Sequence, residues 1–395
     1  MILACLALLC ATASGPTLAQ RFQGGFTLAA AKDKPPRAVL GFREFHGEPG
    51  HLISYSLESG GAFFDWLAPL DRVNYGRRVG AIGDLDGDGF EDVAVGCSVQ
   101  RASNESPIVE LHSGRNGDLL GLLEPELDET AFGECIAALP DLDGDGKPEF
   151  LVGANMHSPL KKGSFAAYAI YSGATRARLG RIVSESTSGL MQGAILLLPG
   201  PADHPWAAHA TGGSVLRMDL RSMVVEQSFV LDGEFASGQV SGLCSLGDQD
   251  GDGREEVLLA LNLNGQHRWL ELDGKSWTQR KLPASAEAPA GPLAWLARAG
   301  DLDGDGTPDF VGERTYTDGD LLCAFSGKSL ACLRKLPVPA DLKPLTGGPC
   351  GFVHPAGMPA LALATCCSTL TLAGKRGVYV FDWEKGALLQ ALGPR

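Results

Sequence analysis

The segment Asp84-Leu85-Asp86-Gly87-Asp88-Gly89-Phe90-Glu91-Asp92 decides the fold, because its pattern recurs three more times along the chain. The other copies begin at Asp141, Asp248 and Asp301. The first aspartates of successive copies are 57, 107 and 53 residues apart, and 107 is close to two periods. This spacing predicts a repeat architecture in which one middle copy has lost its acidic residues.

Two stretches lie where copies without the acidic motif belong. Residues 194–208 keep the flanking apolar segments but not the carboxylates, and residues 351–363 follow Asp301 by about one period. A second element recurs between the acidic segments and consists of a short alternating strand, a polar turn and another short strand. Its seven occurrences are residues 52–64, 109–120, 167–179, 215–225, 269–281, 322–333 and 378–389.

Each period of about 54 residues therefore holds four short antiparallel strands, with the acidic loop between the first two. Four-stranded units at such a period are typical of β-propeller blades, which bury their faces against one another. We predict an all-β protein: a single β-propeller domain over residues 20–395, with seven four-stranded blades. Six blades with a closing segment is the alternative, because the pattern is weak over residues 22–45, where the first strand pair belongs.

The composition agrees with this architecture. The chain has 52 glycines in 395 residues, about twice the usual share, which indicates many tight turns. Its 44% hydrophobic residues exclude a disordered chain, and its net charge of −14 disfavours nucleic acid and anionic lipid as partners. The acidic surplus is local, because positions 1, 3, 5 and 9 of the four loops hold 16 of the 47 acidic residues and leave 31 against 33 basic ones.

The acidic loops have the residue types of a calcium site. Each loop has carboxylates at positions 1, 3, 5 and 9 and glycines at positions 4 and 6, which allow a tight turn. Clustered carboxylates repel one another, and calcium relieves this by accepting about six to eight oxygen ligands in loose geometry. We predict up to four Ca²⁺ ions, with the carbonyl of position 7 as a further ligand. The predicted ligands are Asp84, Asp86, Asp88, Phe90 and Asp92; Asp141, Asp143, Asp145, Lys147 and Glu149; Asp248, Asp250, Asp252, Arg254 and Glu256; and Asp301, Asp303, Asp305, Thr307 and Asp309.

Two other interpretations of these loops are an EF-hand loop and a turn that binds no metal. A helical EF-hand loop needs an oxygen ligand at position 12, where this chain has Val95, Val152, Leu259 and Gly312. The β-rich flanking sequence also argues against that motif. Solvated turns that bind no metal are plausible for one such segment, but four copies with the same carboxylate positions favour metal binding.

With these motifs the chain resembles the FG-GAP (integrin α N-terminal-like) repeat family over roughly residues 48–392. The resemblance also rests on residue pairs ahead of the first two loops, Tyr75-Gly76 and Phe132-Gly133. The segments Gly96-Cys97-Ser98 and Gly153-Ala154-Asn155 follow those loops, whereas the third and fourth copies keep few of these outer markers. The resemblance implies calcium binding between the first two strands of a blade. It also implies a protein or carbohydrate partner, while some members are lectins or calcium-dependent polysaccharide lyases.

The N-terminus indicates export. Residues 1–19 carry no charge and contain an apolar run followed by small residues, which predicts a signal peptide cleaved near residue 13 or 19. A buried first strand or an N-terminal anchor is the alternative, although the run is shorter than the roughly 18 residues of a membrane span. We therefore expect a secreted, periplasmic or cell-surface protein without a transmembrane span.

Export would permit disulfides among the eight remaining cysteines, and Cys323 and Cys332 could face each other across a hairpin. No zinc-site spacing is found in the sequence. The sequence also contains no catalytic motif for hydrolase, zinc-protease or phosphate-loop chemistry. The six tryptophans could form a carbohydrate platform, but we expect them to pack between blades.

We therefore expect no enzymatic activity and no catalytic residue. The sequence predicts a monomeric, calcium-binding adhesion or binding module for an extracellular protein or glycan, and not for nucleic acid. The alternatives are a calcium-dependent polysaccharide lyase or a glycoside-acting enzyme on the same scaffold, and a purely structural surface protein.

Overall fold

A computed structural model describes most of the repeat region. The described residues are 26–31, 34–42, 49–101, 104–157, 163–184, 195–198, 205–210, 214–236, 238–283, 293–314, 320–337, 351–353, 361–366, 377–382 and 387–392. The expected signal peptide, its cleavage sites and the turn of the degenerate copy at 194–208 lie outside these residues. Among the described residues, no helix is both long enough and apolar enough to cross a membrane.

The described strands form seven four-stranded antiparallel sheets, each made of four consecutive strands, and we number these blades 1 to 7. Blade 1 contains β1 Phe26–Ala31, β2 Lys34–Phe42, β3 His51–Ser56 and β4 Ala62–Leu67. Blade 2 contains β5 Arg72–Gly83, β6 Asp92–Arg101, β7 Asn104–His112 and β8 Leu119–Leu123. Blade 3 contains β9 Glu129–Ala138, β10 Phe150–His157, β11 Ser164–Tyr171 and β12 Arg178–Val183. Blade 4 contains β13 Leu196–Leu198, β14 Trp206–Ala210, β15 Ser214–Asp219 and β16 Val224–Val230. Blade 5 contains β17 Gln239–Gly247, β18 Glu256–Leu263, β19 Gln266–Leu272 and β20 Gln279–Arg280. Blade 6 contains β21 Leu293–Gly300, β22 Asp309–Arg314, β23 Asp320–Phe325 and β24 Cys332–Pro337. Blade 7 contains β25 Gly351–Val353, β26 Leu361–Cys366, β27 Gly377–Asp382 and β28 Ala387–Leu392. A short 3-10 helix, Gly233–Phe235, joins blades 4 and 5.

The position of a strand in its blade explains its sequence pattern. The second strand is covered on both faces, so β18 begins with six consecutive buried residues, Glu256 to Leu261. The fourth strand lies at the outer edge, and β16 alternates between exposed and partly buried positions along its whole length. Apolar runs therefore mark the inner strands and alternation marks the outer ones.

The hydrophobic core lies between successive blades. Ile82, Ala94 and Leu111 of blade 2 pack in one cluster with Phe132 and Phe150 of blade 3. Equivalent clusters join blades 1 and 2, 3 and 4, 4 and 5, and 5 and 6. A single blade would expose both apolar faces, so each blade depends on its neighbours for burial.

The repeat pattern in the sequence predicted this architecture. All seven predicted hairpins are the third and fourth strands of the seven sheets, and the first strand pair of blade 1 falls within residues 22–45. The seven-blade prediction is confirmed, and the six-blade alternative is not needed. The acidic segments lie between the first and second strands of blades 2, 3, 5 and 6, as predicted.

Two predictions concerned side-chain packing. Trp206, Trp269 and Trp277 are buried between blades, as expected, whereas the side chains of Trp295 and Trp383 are outside the described set. The suggested disulfide between Cys323 and Cys332 is not formed. The strand register pairs Cys332 with Phe325 and Cys323 with Lys335, so the two cysteines are not opposite each other.

Candidate metal centres

The carboxylate at position 1 organises each acidic loop. In the first loop, Oδ1 of Asp84 accepts hydrogen bonds from the amides of Gly87 and Asp88 at 2.6 and 3.1 Å, and Oδ2 accepts from Gly89 at 2.9 Å. Gly87 and Gly89 have φ of 80° and 87°, which side-chain-bearing residues rarely adopt. Asp248 and Asp301 accept the same three bonds in the third and fourth loops.

The carboxylate at position 9 ties the loop to the hairpin turn of the same blade. Oδ2 of Asp92 accepts from the amide of Leu85 at 2.8 Å, and Oδ1 accepts from the amide of Gly114 at 3.0 Å. In the fourth loop, Asp309 accepts from Leu302 and Gly327 in the same way. Position 9 is therefore a structural residue as well as a predicted ligand.

A turn glycine makes this contact possible in all four blades. A Cβ added at any of these glycines would lie within 2.4 Å of the carbonyl oxygen of position 8 of the loop. Only glycine permits such an approach of two backbones. The four turn glycines are Gly114, Gly173, Gly274 and Gly327. Our sequence reasoning missed them, although each lies in a Ser-Gly or Asp-Gly turn at the same place in its hairpin.

The structure brings together most of the predicted carboxylate ligands. In every loop, one oxygen from each of positions 1, 3 and 9 lies within 4.8 Å of the others. Position 5 joins the group only in the second loop, through Asp145. In all four loops, including the second, the position 5 carboxylate accepts a hydrogen bond from the amide of position 7. The ligand role of the carbonyls of Phe90, Lys147, Arg254 and Thr307 stays a prediction.

Burial makes the position 9 carboxylates costly to ionise without a cation. Burial, together with the nearby Asp86 carboxylate, raises the pKa of Asp92 to about 6 despite the backbone hydrogen bonds that lower it. Burial likewise raises the pKa of Glu149, Glu256 and Asp309. An adjacent positive charge is the physical remedy for a buried carboxylate.

Glu149 gives an independent indication of a missing partner. The residue has no exposed surface, and its Oε2 accepts a hydrogen bond from the amide of Leu142. Its Oε1 is buried and has no hydrogen-bond partner. A buried acceptor without a partner is expensive, and this one lies in the four-carboxylate group of the second loop. An all-oxygen donor set with an unsatisfied buried oxygen fits a hard divalent cation.

Neighbouring loops also contact one another. The Lys147 side chain, at position 7 of the second loop, donates from Nζ to the Asp84 carbonyl of the first loop at 2.8 Å. The adjacent Pro148 packs against Gly83, since a Cβ at Gly83 would lie 2.2 Å from its Cγ. The predicted role of Lys147 concerned only its carbonyl, whereas its side chain links the two loops.

A basic residue of β20 contacts the third loop, and our sequence reasoning missed it. Arg280 Nη1 lies 2.9 Å from Oε1 of Glu256 and 3.5 Å from Oδ2 of Asp250. Its Nε lies 3.3 Å from Oε1 of Glu271, a buried residue of β19. A sequence comparison of the hairpins could have found it, since Leu120, Leu179 and Leu333 stand at the same distance from their turn glycines.

A second polar group is buried between blades 1 and 2. Tyr75 Oη lies 3.2 Å from Nε2 of His112, which is also 3.1 Å from Oε2 of Glu110, and Arg72 donates to Glu110. Tyr75, His112 and Glu110 have no exposed surface, so a substrate could not reach them. We interpret this group as a satisfied structural network.

The seven four-stranded blades, four of them with an acidic loop between the first two strands, define the class of the protein: it is a β-propeller. A sequence model of the FG-GAP-like repeat matches residues 248–312, which span the third and fourth loops and the β-hairpin between them. Residues 248–312 thus form an FG-GAP-like repeat within this β-propeller. A solved structure described as "Structure of Dos1 propeller" is similar, with a TM-score of 0.48 and 12% identity, and the match covers 86% of this chain and 77% of that chain.

Proposed function

We propose that this protein is an exported calcium-binding β-propeller that serves as a binding or adhesion module for an extracellular protein or glycan. The observation that carries the calcium assignment is the recurrence of one carboxylate group in four loops, together with the unpartnered Oε1 of Glu149. The residues at positions 1, 3 and 9 would hold the ion, joined by Asp145 in the second loop. Bound calcium would supply structural rigidity to the blade edges.

The N-terminal sequence of residues 1–19 supports export, which would expose the loops to extracellular calcium. Sites in extracellular modules commonly bind calcium with dissociation constants of about 10⁻⁴ to 10⁻³ M. Such affinities suffice where calcium is millimolar, and binding to the folded state alone raises stability by mass action. We therefore assign calcium a structural role and place ligand recognition elsewhere on the surface.

Exposed apolar side chains on the outer strands support a protein partner. On β4, Phe63 and Leu67 are 50% and 55% exposed, and on β8, Leu119 and Leu122 are 47% and 49% exposed. Apolar groups on edge strands are unfavourable in water and are often covered by a partner. The family resemblance supports a glycan as the alternative ligand, with a monomeric propeller in both cases.

The calcium assignment is tested by calorimetric melting of the mature protein in excess chelator and in millimolar CaCl₂. We expect calcium to raise the melting temperature by several degrees and equimolar MgCl₂ to do so less, because magnesium demands stricter octahedral order. The matched control is the quadruple variant Asp84→Asn, Asp141→Asn, Asp248→Asn and Asp301→Asn, which should not respond to calcium. An identical melt of the wild-type protein in chelator and calcium would contradict the assignment.

The binding role is tested with the calcium-loaded protein on immobilised matrix proteins and glycans. Saturable binding at micromolar protein would support the module, and its absence across the panel would favour a purely structural role. Incubation with acidic polysaccharides tests the lyase alternative. A rise in absorbance from unsaturated products would overturn the non-enzymatic assignment.

A further inference from the structure

The charge balance of the third loop differs from that of the other three. The Arg280 guanidinium contacts Glu256 and Asp250, two of the three carboxylates that gather in this loop. In the part of the chain that the structure describes, no lysine or arginine nitrogen lies within 4.0 Å of a carboxylate oxygen at positions 1, 3, 5 or 9 of the other three loops. The third loop is therefore set apart by a basic side chain that contacts its carboxylates, whereas Lys147 reaches the first loop at the Asp84 carbonyl.

Arg280 and Glu271 are charged at two positions that are apolar in the other blades with an acidic loop. Arg280 pairs in register with Glu271, and these residues occupy neighbouring outer strands of blade 5. Counted from the turn glycine, the residues at the same two positions in blades 2, 3 and 6 are Leu111 and Leu120, Ile170 and Leu179, and Ala324 and Leu333. In those blades the register skips the second position, so that Leu111, Ile170 and Ala324 pair with Gly121, Gly180 and Arg334. Glu271 contacts Nε of the Arg280 guanidinium, and Nη1 of the same group contacts Glu256 in the loop.

The second and third loops provide a direct comparison, because both have glutamate at position 9. In the second loop, Oε1 of Glu149 is buried without a hydrogen-bond partner. In the third loop, Arg280 lies 2.9 Å from the equivalent Oε1 of Glu256. The guanidinium thus supplies to Glu256 the positive charge that only a bound cation could supply to Glu149.

We propose that Arg280 neutralises the third loop internally, so that this loop binds calcium more weakly than the other three and is filled last. The inference rests on the proposed calcium function. A guanidinium a few ångström from a divalent cation repels it, and it also competes for the ligands Glu256 and Asp250. This is enough to weaken calcium binding by at least about tenfold, even with solvent screening at the surface.

The first experiment is calorimetric titration of the chelator-stripped, folded protein with CaCl₂. We expect a group of tighter sites and one site that is at least about tenfold weaker. Asp248→Asn, in the third loop, should abolish the weak site and keep the tight ones. Asp301→Asn, in the fourth loop, should remove one tight site and keep the weak one. Loss of the weak site in Asp301→Asn, with no such loss in Asp248→Asn, would overturn the proposal.

The second experiment removes the internal charge. The double variant Glu271→Leu and Arg280→Leu gives these two positions the apolar residues of blade 2, avoids leaving Glu271 buried without its partner and keeps the net charge of the wild type. We expect its weak site to tighten by about tenfold or more. Arg268→Leu, on the same blade, is the control for loss of an arginine away from the loop, because Arg268 is exposed and its hydrogen bonds stay within its own strand. Circular dichroism in chelator verifies that each variant is folded.

The outcomes separate this inference from the proposed function. Calcium binding at four equal sites, unchanged in the double variant, would overturn the role of Arg280 and leave the calcium function standing. A wild-type protein that takes up no calcium in any loop would overturn both. Equal tightening in Arg268→Leu and in the double variant would show that contact between Arg280 and the loop is not the cause and so contradict the proposal.

Discussion

Individual carboxylates in the acidic loops have two roles that the sequence pattern does not separate. Asp92 accepts hydrogen bonds from three backbone amides, including one from the hairpin turn, and is fully buried. The Asp88 side chain is partly exposed and accepts from one amide of its own loop, that of Phe90. The motif predicts both residues as ligands. Of the two, Asp92 also links the loop to the hairpin turn of its blade by hydrogen bonds that need no metal.

We predict that Asp92→Ala destabilises the metal-free protein much more than Asp88→Ala. Asp92→Ala leaves buried amides without acceptors and should cost about 2–3 kcal/mol of unfolding free energy. Asp88→Ala should cost less than about 1 kcal/mol, because its carboxylate accepts from one amide of a partly exposed loop, which water can replace. Urea unfolding in excess chelator measures both values. Equal losses would show that position 9 has no structural role beyond that of position 5.

Glu110 gives a prediction for pH dependence away from the metal loops. Burial alone would raise the pKa of Glu110, but hydrogen bonds with His112 and Arg72 outweigh it and place the pKa below its ordinary value. A carboxylate with a lowered folded-state pKa stabilises the protein above its unfolded pKa of about 4.5, and this stabilisation is lost as the pH falls through the folded value.

The stability advantage of the wild-type protein over Glu110→Gln should therefore be full at neutral pH and shrink below about pH 4.5. Urea unfolding of both proteins in chelator across the acidic range measures this difference. Glu105→Gln, at an exposed position of the same strand, should show little difference from the wild type at any pH. A constant gap between wild type and Glu110→Gln would contradict a lowered pKa.

At the scale of the strand, the aromatic-glycine pairs ahead of the first two loops have a packing explanation. Tyr75-Gly76 and Phe132-Gly133 both lie at irregularities in the first strand of a blade, where Gly76 and Gly133 have φ of 71° and 89°. The aromatic ring is buried and the glycine approaches the preceding blade. A Cβ at Gly96 of blade 2 would lie 2.6 Å from the Gly133 carbonyl oxygen of blade 3.

Gly96→Ala should therefore force blades 2 and 3 apart and destabilise the protein by about 2–3 kcal/mol. Gly121→Ala is the matched control, since a Cβ there would meet only the flexible Arg176 side chain at 3.4 Å. Its unfolding free energy should change by less than about 0.5 kcal/mol. Thermal or urea unfolding distinguishes the two, and similar values would show that the contact between blades is not tight.

The strands and the loop carboxylates could be predicted because they depend on local periodicity and on a motif that recurs. The turn glycines, Lys147 and Arg280 could not be assigned a role from the motif, because their contacts join segments far apart in the chain. Lys147 reaches a carbonyl of another blade, and Gly114 meets a loop that precedes it by more than twenty residues. Sequence patterns within one repeat do not show such contacts.

At the scale of the whole molecule, two of the blades without an acidic loop join the next blade through a buried arginine. Blades 1 and 4 lack the loop, and each extends a buried arginine to the hairpin turn of the following blade. Arg37 donates to the carbonyls of Gly114 and Arg115, and Arg217 donates to those of Gly274 and Lys275. The buried guanidinium thus provides a metal-independent link at these two positions.

Because every described core cluster spans two blades, we expect calcium at the loops to stabilise distant blades as well. Cys135 of blade 3 and Cys244 of blade 5 are buried reporters of opening. Burial raises the pKa of Cys135 to about 12 and also raises that of Cys244, so neither thiol reacts in the folded state. Each should be labelled only when its blade opens.

We predict that thiol labelling of both cysteines, resolved by peptide mass spectrometry, is slow in chelator and slower still in calcium. If the blades open as one cooperative unit, calcium should slow both by a similar factor, since labelling then follows the free energy of global unfolding. The variant Asp141→Asn replaces the position 1 carboxylate of the second loop. It should reduce the slowing of thiol labelling by calcium at Cys244 as well as at Cys135. Reduced protection at Cys135 alone would show that blades 3 and 5 open independently.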